Sequence, residues 1–456
     1  YFLLVRFSTP EILTINYKMN FNKILKGKHS QSFIGQLVSA AIAMFSFMVL
    51  ARSFSKESFG QWVLYLSLLT FFDMIKAGMV QSAFVKNASG LKGEFYKKLE
   101  GSSWLLNVMV TSLFSIVCLV TYFLGVFEME GIILFLLMYP LYAFVSMPFH
   151  YFLWGNQIKL QFNQVAVGRV THVFLFFLVA LCTLIFKIDV KQLVLLHLFV
   201  FAICSLLAVL RKRTGLKNIL KAELSLVKTY WNYGKYHSLA FLGSNLLKSS
   251  DTYIIGGILG PAFIAIYSIP LRLVEMIELP LKASVSVAFP VFSAHDNKGD
   301  YPSLKRTLEK YIGVLTLLYV PFMILLFFLS DYLVLIVGGE KYSDTGSIFR
   351  LFLIYGLFLP FDRLTGVVLD AMGYPRLNFI KVTVMATVNI IGDVVVLYYF
   401  RSLELVAAVT IANVVTGMIV GFVISKKKLK ISLFSILSSG LKAIINSINQ
   451  FKLLKL

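Results

Sequence analysis

Four charged side chains lie at helical spacing inside an otherwise apolar segment, residues 262–292. At 100° per residue, Arg272, Glu275, Glu278 and Lys282 fall within about 120° on one face of a helix. Charge at bilayer depth is expensive and marks functional positions, where a base can hold an anion and a carboxylate can bind a proton or a cation. The alternative is structural, because Arg272 and Glu275 are spaced i, i+3 and can neutralise each other.

Two further apolar segments place a base and an acid three residues apart. Lys248 and Asp251 lie in LLKSSDTYIIG, and Asp73 and Lys76 lie in TFFDMIKAG. Because only a short turn separates the helix of Asp251 from that of Arg272, we expect the two at similar depth. The sequence therefore predicts either a bridge between them or a cavity that both line. The pairs within each helix can equally be structural.

Other polar residues within apolar segments are weaker candidates. Asp362 and Arg363 are adjacent and so point about 100° apart on a helix. Asp393 has no charged neighbour at helical spacing. His172 and His197 titrate near neutral pH and could relay protons, although a buried histidine is more often a hydrogen-bonded core residue.

The composition predicts an all-α integral membrane protein. The 456 residues are 58% hydrophobic and 14% charged, with a mean hydropathy of +0.81. Soluble domains average about a quarter charged residues. The net charge of +21 fits cytoplasmic loops facing anionic lipid, so we exclude nucleic acid as a partner.

Several classes of site have no signature in the sequence. Cys118, Cys182 and Cys204 each stand alone in apolar stretches, without a CxxC motif or a His/Cys cluster. We therefore expect no metal, no cofactor and no disulfide framework. There is no Walker A motif and no long loop that could house a catalytic domain, so an enzyme is not expected.

Apolar stretches of about 20 residues predict twelve transmembrane helices. Assigning the N-terminus to the cytoplasm places 29 lysines and arginines in cytoplasmic segments and 6 in outer loops, which predicts an N-in, C-in topology. The predicted spans are 31–50, 60–85, 101–124, 132–153, 164–186, 192–210, 237–258, 262–292, 311–330, 347–371, 377–399 and 405–424.

The largest basic cluster, RKRTGLKNILKAELSLVK, divides the twelve helices into two groups of six. Shifting the numbering by about 205 residues aligns the halves in hydropathy, and Asp73 then falls on Glu278. Residues 1–18 are expected to be an upstream extension or a poorly ordered tail, because Met19 opens a typical basic start. The predicted parts are a cytoplasmic N-terminal segment (1–30), a first six-helix lobe (31–210), a basic cytoplasmic linker (211–236), a second six-helix lobe (237–424) and a basic amphipathic cytoplasmic tail (425–456).

Three stretches resemble the bacterial oligosaccharide flippases, the polysaccharide-biosynthesis transporters. LARSFSKESFGQWVLYLSLLTFFDMIKAGMVQSAFVK (50–86) is similar to their first two helices. KSSDTYIIGGILGPAFIAIYSIPLRLVE (248–275) is similar to their seventh and eighth helices. The stretch from LDAMGYPRLNFIKV to TIANVVTGMIVG (369–421) is similar to their last two. The resemblance extends over nearly the whole chain from about residue 30.

The resemblance implies a two-lobed fold shared with multidrug and toxin extrusion transporters. It implies flipping of undecaprenyl-pyrophosphate-linked sugar repeat units across the bacterial cytoplasmic membrane, driven by a proton or sodium gradient, among membrane lipids and in possible contact with polysaccharide polymerase machinery. Under this interpretation the substrate-binding candidates are Arg272, Lys76, Lys248 and Lys282, and the ion-coupling candidates are Asp251, Glu275, Asp73 and Glu278.

Two other functions remain open. A cation-coupled multidrug exporter of the same fold would favour an acidic cavity, whereas these segments mix acids with prominent bases. A membrane polysaccharide polymerase or ligase would be expected to carry a large outer loop, which the sequence lacks.

Overall fold

The structure is a computed structural model that describes residues 28–453, without the side chains of residues 28–33, 240, 244–247, 447–448 and 450–453. Every regular element in this range is helical, which confirms the all-α prediction. The expected extension 1–18, most of the predicted segment 1–30 and the last three residues of the predicted tail lie outside the described residues.

The first half of the described chain is a series of helices with short connections. Ser55 starts the second helix, because its hydroxyl accepts a hydrogen bond from the Ser58 amide. Asp189 starts the eighth in a capping box with Gln192. The elements are α1 (Lys28–Ser53), α2 (Lys56–Lys76), a π-helical turn (Ala77–Gln81), α3 (Ser82–Ala88), α4 (Gly93–Phe123), α5 (Glu130–Val145), α6 (Met147–Ile158), α7 (Phe162–Ile185) and α8 (Val190–Leu210).

Two long helices of the second half meet at Gly260. That glycine has a φ of +99°, which ends the first helix, and Pro261 then takes the first position of the next. The elements are a 3-10 turn (Leu216–Lys221), α9 (Leu224–Leu259), α10 (Pro261–Asn297), α11 (Tyr301–Phe328), α12 (Ser330–Gly338), a second 3-10 turn (Glu340–Thr345), α13 (Gly346–Ala371), α14 (Pro375–Tyr399), α15 (Leu403–Leu429) and α16 (Leu433–Leu453).

Nine helical stretches of the described chain are long and apolar enough to cross a membrane, or ten if the pair α5 and α6, bent by 49°, is one span. The chain is therefore a multi-pass membrane protein. Helices α9 and α10 do not meet this test of length and composition, although their 36 and 37 residues would each reach roughly 55 Å. The number of twelve spans and the N-in, C-in orientation stay predictions.

The two halves pack against each other through α2 and α10. Gly60 lies against the backbone carbonyl of Pro261, where a side chain would not fit. One hydrophobic core runs across this contact, from Phe59 and Tyr65 to Ile269 and further residues of the second half. The helices that meet here also line the cavities described below.

The predicted linker 211–236 is partly helical, because α9 begins at Leu224. The linker is held onto α4, since the Trp104 indole donates to the Thr214 carbonyl at 3.0 Å and the Tyr230 hydroxyl donates to the Leu99 carbonyl at 3.2 Å. In the predicted tail, α15 continues to Leu429 and α16 then packs along α11. The division into two lobes with these boundaries stays a prediction.

Candidate functional site

A cavity of about 530 Å³ lies between α1, α2, α7 and α8 of the first half and α9 and α10 of the second. We call it the first cavity. Lys248, Arg272 and Glu275 lie on its α9 and α10 side. His172 of α7 and His197 of α8 lie on its other side. The cavity therefore has one charged wall and one wall that carries neutral polar groups.

The charged wall is an ion triad centred on Glu275. One carboxylate oxygen is 2.7 Å from the Arg272 guanidinium and the other is 2.7 Å from the Lys248 ammonium. The Arg272 guanidinium also lies 5.6 Å from the centre of the Phe47 ring, within range of a cation–π contact. The triad keeps one positive charge in excess, and the Lys248 side chain is 63% exposed, so it remains accessible to an anion in the cavity.

A second cavity of about 530 Å³ lies within the second half and shares Lys248 and Glu275 with the first. The charged stripe is the name we give to the charged residues along these cavities, Lys248, Arg272, Glu275, Glu278, Lys282 and Arg363. Here Glu278 lies between two bases, 3.1 Å from Lys282 and 3.9 Å from Arg363. The Tyr355 hydroxyl also donates to Glu278 at 3.3 Å. The second cavity is thus more acidic than the first, because Asp251 and Asp362 also line it.

A buried acidic cluster borders the second cavity. Asp251 accepts hydrogen bonds from the Tyr267 hydroxyl at 2.8 Å and from the Asn389 amide at 2.7 Å. The same amide reaches Asp393 at 3.0 Å, and Asn413 donates to the Asn389 carbonyl oxygen at 3.0 Å. Asp393 is fully buried, and one of its carboxylate oxygens has no hydrogen-bond partner. The carboxylates of Asp251 and Asp393 thus share the Asn389 amide as donor, and one Asp393 oxygen is left without a hydrogen bond.

The predicted bridge between Asp251 and Arg272 is not formed. Asp251 bonds to α14 and to Tyr267 of α10, whereas Arg272 pairs with Glu275 on its own helix. The two side chains line different cavities. The prediction was wrong because a similar distance from the turn between the two helices does not fix the direction in which each side chain leaves its helix.

Asp73 and Lys76 form an ion pair inside the first half, with 2.9 Å between charged atoms. The Tyr142 hydroxyl donates to Asp73 at 2.5 Å, and the Lys76 ammonium lies 5.7 Å from the centre of the Tyr139 ring. Neither residue lines the two cavities, so the structure does not bring them together with the stripe on α10.

The buried pair of Lys381 and Asp362 was missed by sequence reasoning, as were Asn389 and Asn413. Lys381 of α14 is 2.7 Å from the carboxylate of Asp362 on α13, and both side chains are 3% exposed. A lysine inside the apolar run NFIKVTVMAT was the available signal, but its partner on another helix could not be read from spacing.

Residues 49–346 match the family described as polysaccharide biosynthesis protein. The chain belongs to this family. This confirms the resemblance drawn from the sequence. Two similar curated proteins are the teichuronic acid biosynthesis protein TuaB of Bacillus subtilis (27% identity over 158 residues, 34% of this chain and 32% of that protein) and the probable lipid II flippase MurJ of Borreliella burgdorferi (28% over 170 residues, 35% and 33%). The matched segments span about a third of these relatives.

Solved structures share the fold of this family member. One is an inward-facing multidrug resistance MATE family transporter of the MOP superfamily, with a TM-score of 0.70, 14% identity, and 88% of this chain and 98% of that one covered. Another is the lipid II flippase MurJ in an inward closed conformation, with a TM-score of 0.70, 16% identity, and 90% of each chain covered. At these identities the likeness concerns the fold alone.

The histidines of this polysaccharide biosynthesis family member lie in an aromatic cluster. The His197 ring centre is 5.4 Å from that of Trp62, 5.2 Å from Phe176 and 5.1 Å from Phe201. These rings hold His197 in a fixed orientation at the wall of the first cavity. A role in proton relay stays a prediction.

At one end of the molecule, a basic side chain of each half donates hydrogen bonds to backbone carbonyls at a helix end of the other half. We call this arrangement the end latch. The Arg52 guanidinium donates to the carbonyls of Leu335 and Ile336 near the end of α12. In return, the Lys341 ammonium donates to the carbonyls of Arg52 and Phe54 at the end of α1, at 2.8 and 3.0 Å. Carbonyls at the C-terminal end of a helix carry partial negative charge, so each half places a cation on a helix end of the other half.

Proposed function

We propose that this protein flips pyrophosphate-linked oligosaccharide lipids across the bacterial cytoplasmic membrane for surface polysaccharide synthesis. Family membership and the names of relatives, one a teichuronic acid biosynthesis protein and one a probable lipid II flippase, support a transporter of lipid-linked sugars. Twelve spans in two lobes, with both termini in the cytoplasm, would let the lobes rock about the cavities between them. Contact with polymerase machinery is part of the same proposal.

The observation that carries the proposal is the excess positive charge of the ion triad in the first cavity. A pyrophosphate diester carries two negative charges, and Arg272 and Lys248 could bind it in place of the single negative charge of Glu275. Guanidinium and ammonium groups form strong charge-assisted bonds to phosphate oxygens. A cavity for organic cations would need the opposite excess.

The acidic cluster is the proposed site of ion coupling. With both Asp251 and Asp393 ionised, two buried negative charges would face each other with only neutral partners. A proton or a sodium ion bound there would offset one of those charges. The proposed coupling residues are thus Asp251, which the sequence predicted, and Asp393. Glu275 and Glu278, which were also predicted to couple, instead pair with bases of the charged stripe.

Reconstitution of the purified protein in proteoliposomes tests the function. The probe is a fluorescent polyprenyl pyrophosphate carrying one N-acetylglucosamine, and the readout is its rate of transfer between leaflets. We expect transfer with the native protein and a rate lower by roughly ten- to a hundredfold for Arg272→Gln, because a hydrogen bond between charged groups is lost. Arg306→Gln, at an exposed position, is the control and should transfer normally.

The same vesicles distinguish the multidrug alternative. Transport of ethidium without any transfer of the lipid probe would reject the flippase proposal in favour of a cation exporter. Transfer that is equally fast with Arg272→Gln would reject the stripe as the pyrophosphate site.

A further inference from the structure

The neutral wall of the first cavity has two unsatisfied imidazole nitrogens. Nε2 of His172 and Nδ1 of His197 are buried and have no hydrogen-bond partner. The two ring centres are 6.3 Å apart, and His197 is 94% buried as a residue, with 6% exposed. Buried polar atoms in native proteins almost always have partners, so exceptions at a cavity wall call for a ligand.

The chemistry of this wall selects an uncharged ligand with hydroxyl groups. A neutral imidazole has one donor and one acceptor nitrogen, and a sugar hydroxyl can satisfy either. The hydroxyls of Ser46 and Thr70, also on this wall, donate to carbonyls of their own helices and keep lone pairs free to accept. Among the lining residues, acids and bases occur only on the opposite wall, at Lys248, Arg272 and Glu275.

We propose that His172 and His197 form a sugar subsite for the headgroup of the lipid-linked substrate. This inference rests on the proposed function, because the pyrophosphate would be held by the triad across the same cavity. The aromatic rings of Trp62, Phe176 and Phe201 pack against His197 and so restrict rotation of its ring. The histidines would then select which sugar is carried, while Arg272 binds the part common to all such lipids.

Two probes separate the subsites on purified protein in detergent: farnesyl pyrophosphate, and the same lipid pyrophosphate carrying one N-acetylglucosamine. We expect His172→Phe and His197→Phe to weaken binding of the sugar-bearing probe by roughly 2- to 12-fold each, the effect of one lost hydrogen bond. Binding of farnesyl pyrophosphate should stay unchanged. His197→Gln, which keeps a donor and an acceptor, should restore part of the affinity.

Controls decide between the inference and the proposed function. Arg272→Gln should weaken both probes, and His295→Phe, outside the cavity, should weaken neither. If Arg272→Gln acts on both probes while the histidine variants leave the sugar-bearing probe unchanged, the sugar subsite is rejected alone. If the native protein binds neither probe, the proposed function is rejected and the subsite with it. Should the Phe variants not fold, His172→Ala, at the more accessible ring, decides by the same comparison.

Discussion

Removing one partner of the Lys381–Asp362 pair should destabilise the fold far more than removing both. The charged atoms are 2.7 Å apart, each side chain is 3% exposed, and the lysine also donates to the Asp362 carbonyl. Lys381→Met would leave a buried carboxylate without its base, and Asp362→Asn would leave a buried ammonium without its acid. Breaking a buried pair in this way costs about 3–5 kcal/mol.

The double variant Lys381→Met/Asp362→Asn removes both charges at nearly constant volume. Because no uncompensated charge remains, we expect its free energy of unfolding to lie within about 2 kcal/mol of the native value. Unfolding in mixed micelles of dodecyl maltoside and dodecyl sulfate measures all three variants. The exposed pair Lys97–Glu94, 2.6 Å apart, is the control, and its removal should leave the free energy of unfolding nearly unchanged. If the loss of unfolding free energy in the double variant equals the sum of the losses in the two single variants, the reasoning is refuted.

Three further outcomes are expected. Arg52→Gln with Lys341→Gln removes the charged donors of the end latch, so spin-label distances between the halves at that end should broaden; an unchanged distribution would show that the latch does not hold the halves. Asp393→Asn should make transport insensitive to removal of the coupling ion, and a variant that still responds would place coupling elsewhere. Gly60→Val should collide with the Pro261 carbonyl and lower stability by about 1–3 kcal/mol, whereas a native melting temperature would mean that the helices separate freely.

Contacts within one helix were the part of the site that the sequence could predict. The spacing i, i+3 correctly paired Arg272 with Glu275 and Asp73 with Lys76, because helical geometry alone brings those side chains together. Composition and hydropathy likewise predicted an all-helical membrane protein, since every backbone bond in lipid must be made internally.

Contacts between helices were beyond the same reasoning. Lys248 pairs with Glu275 of α10, although spacing along its own helix suggested Asp251. Asp251 instead bonds to Asn389, which lies far along the chain on α14. These partners depend on how helices are rotated against each other, which one sequence does not encode locally. Neutral groups such as His172 gave even less signal, because a lone histidine in an apolar helix is usually a core residue.

Glu275 shows why structural pairing and transport are not competing explanations for the charged stripe. It lines both cavities and pairs with both Arg272 and Lys248. This pairing offsets the cost of desolvating the partly buried side chains of Arg272 and Glu275. Under the proposed function, a pyrophosphate would offer two negative charges in place of one and would so compete with Glu275 for both bases. Lys248 belongs to α9 and Arg272 to α10, so the exchange would change the force between those two helices. The triad that neutralises these side chains is thus also the element that substrate binding would rearrange.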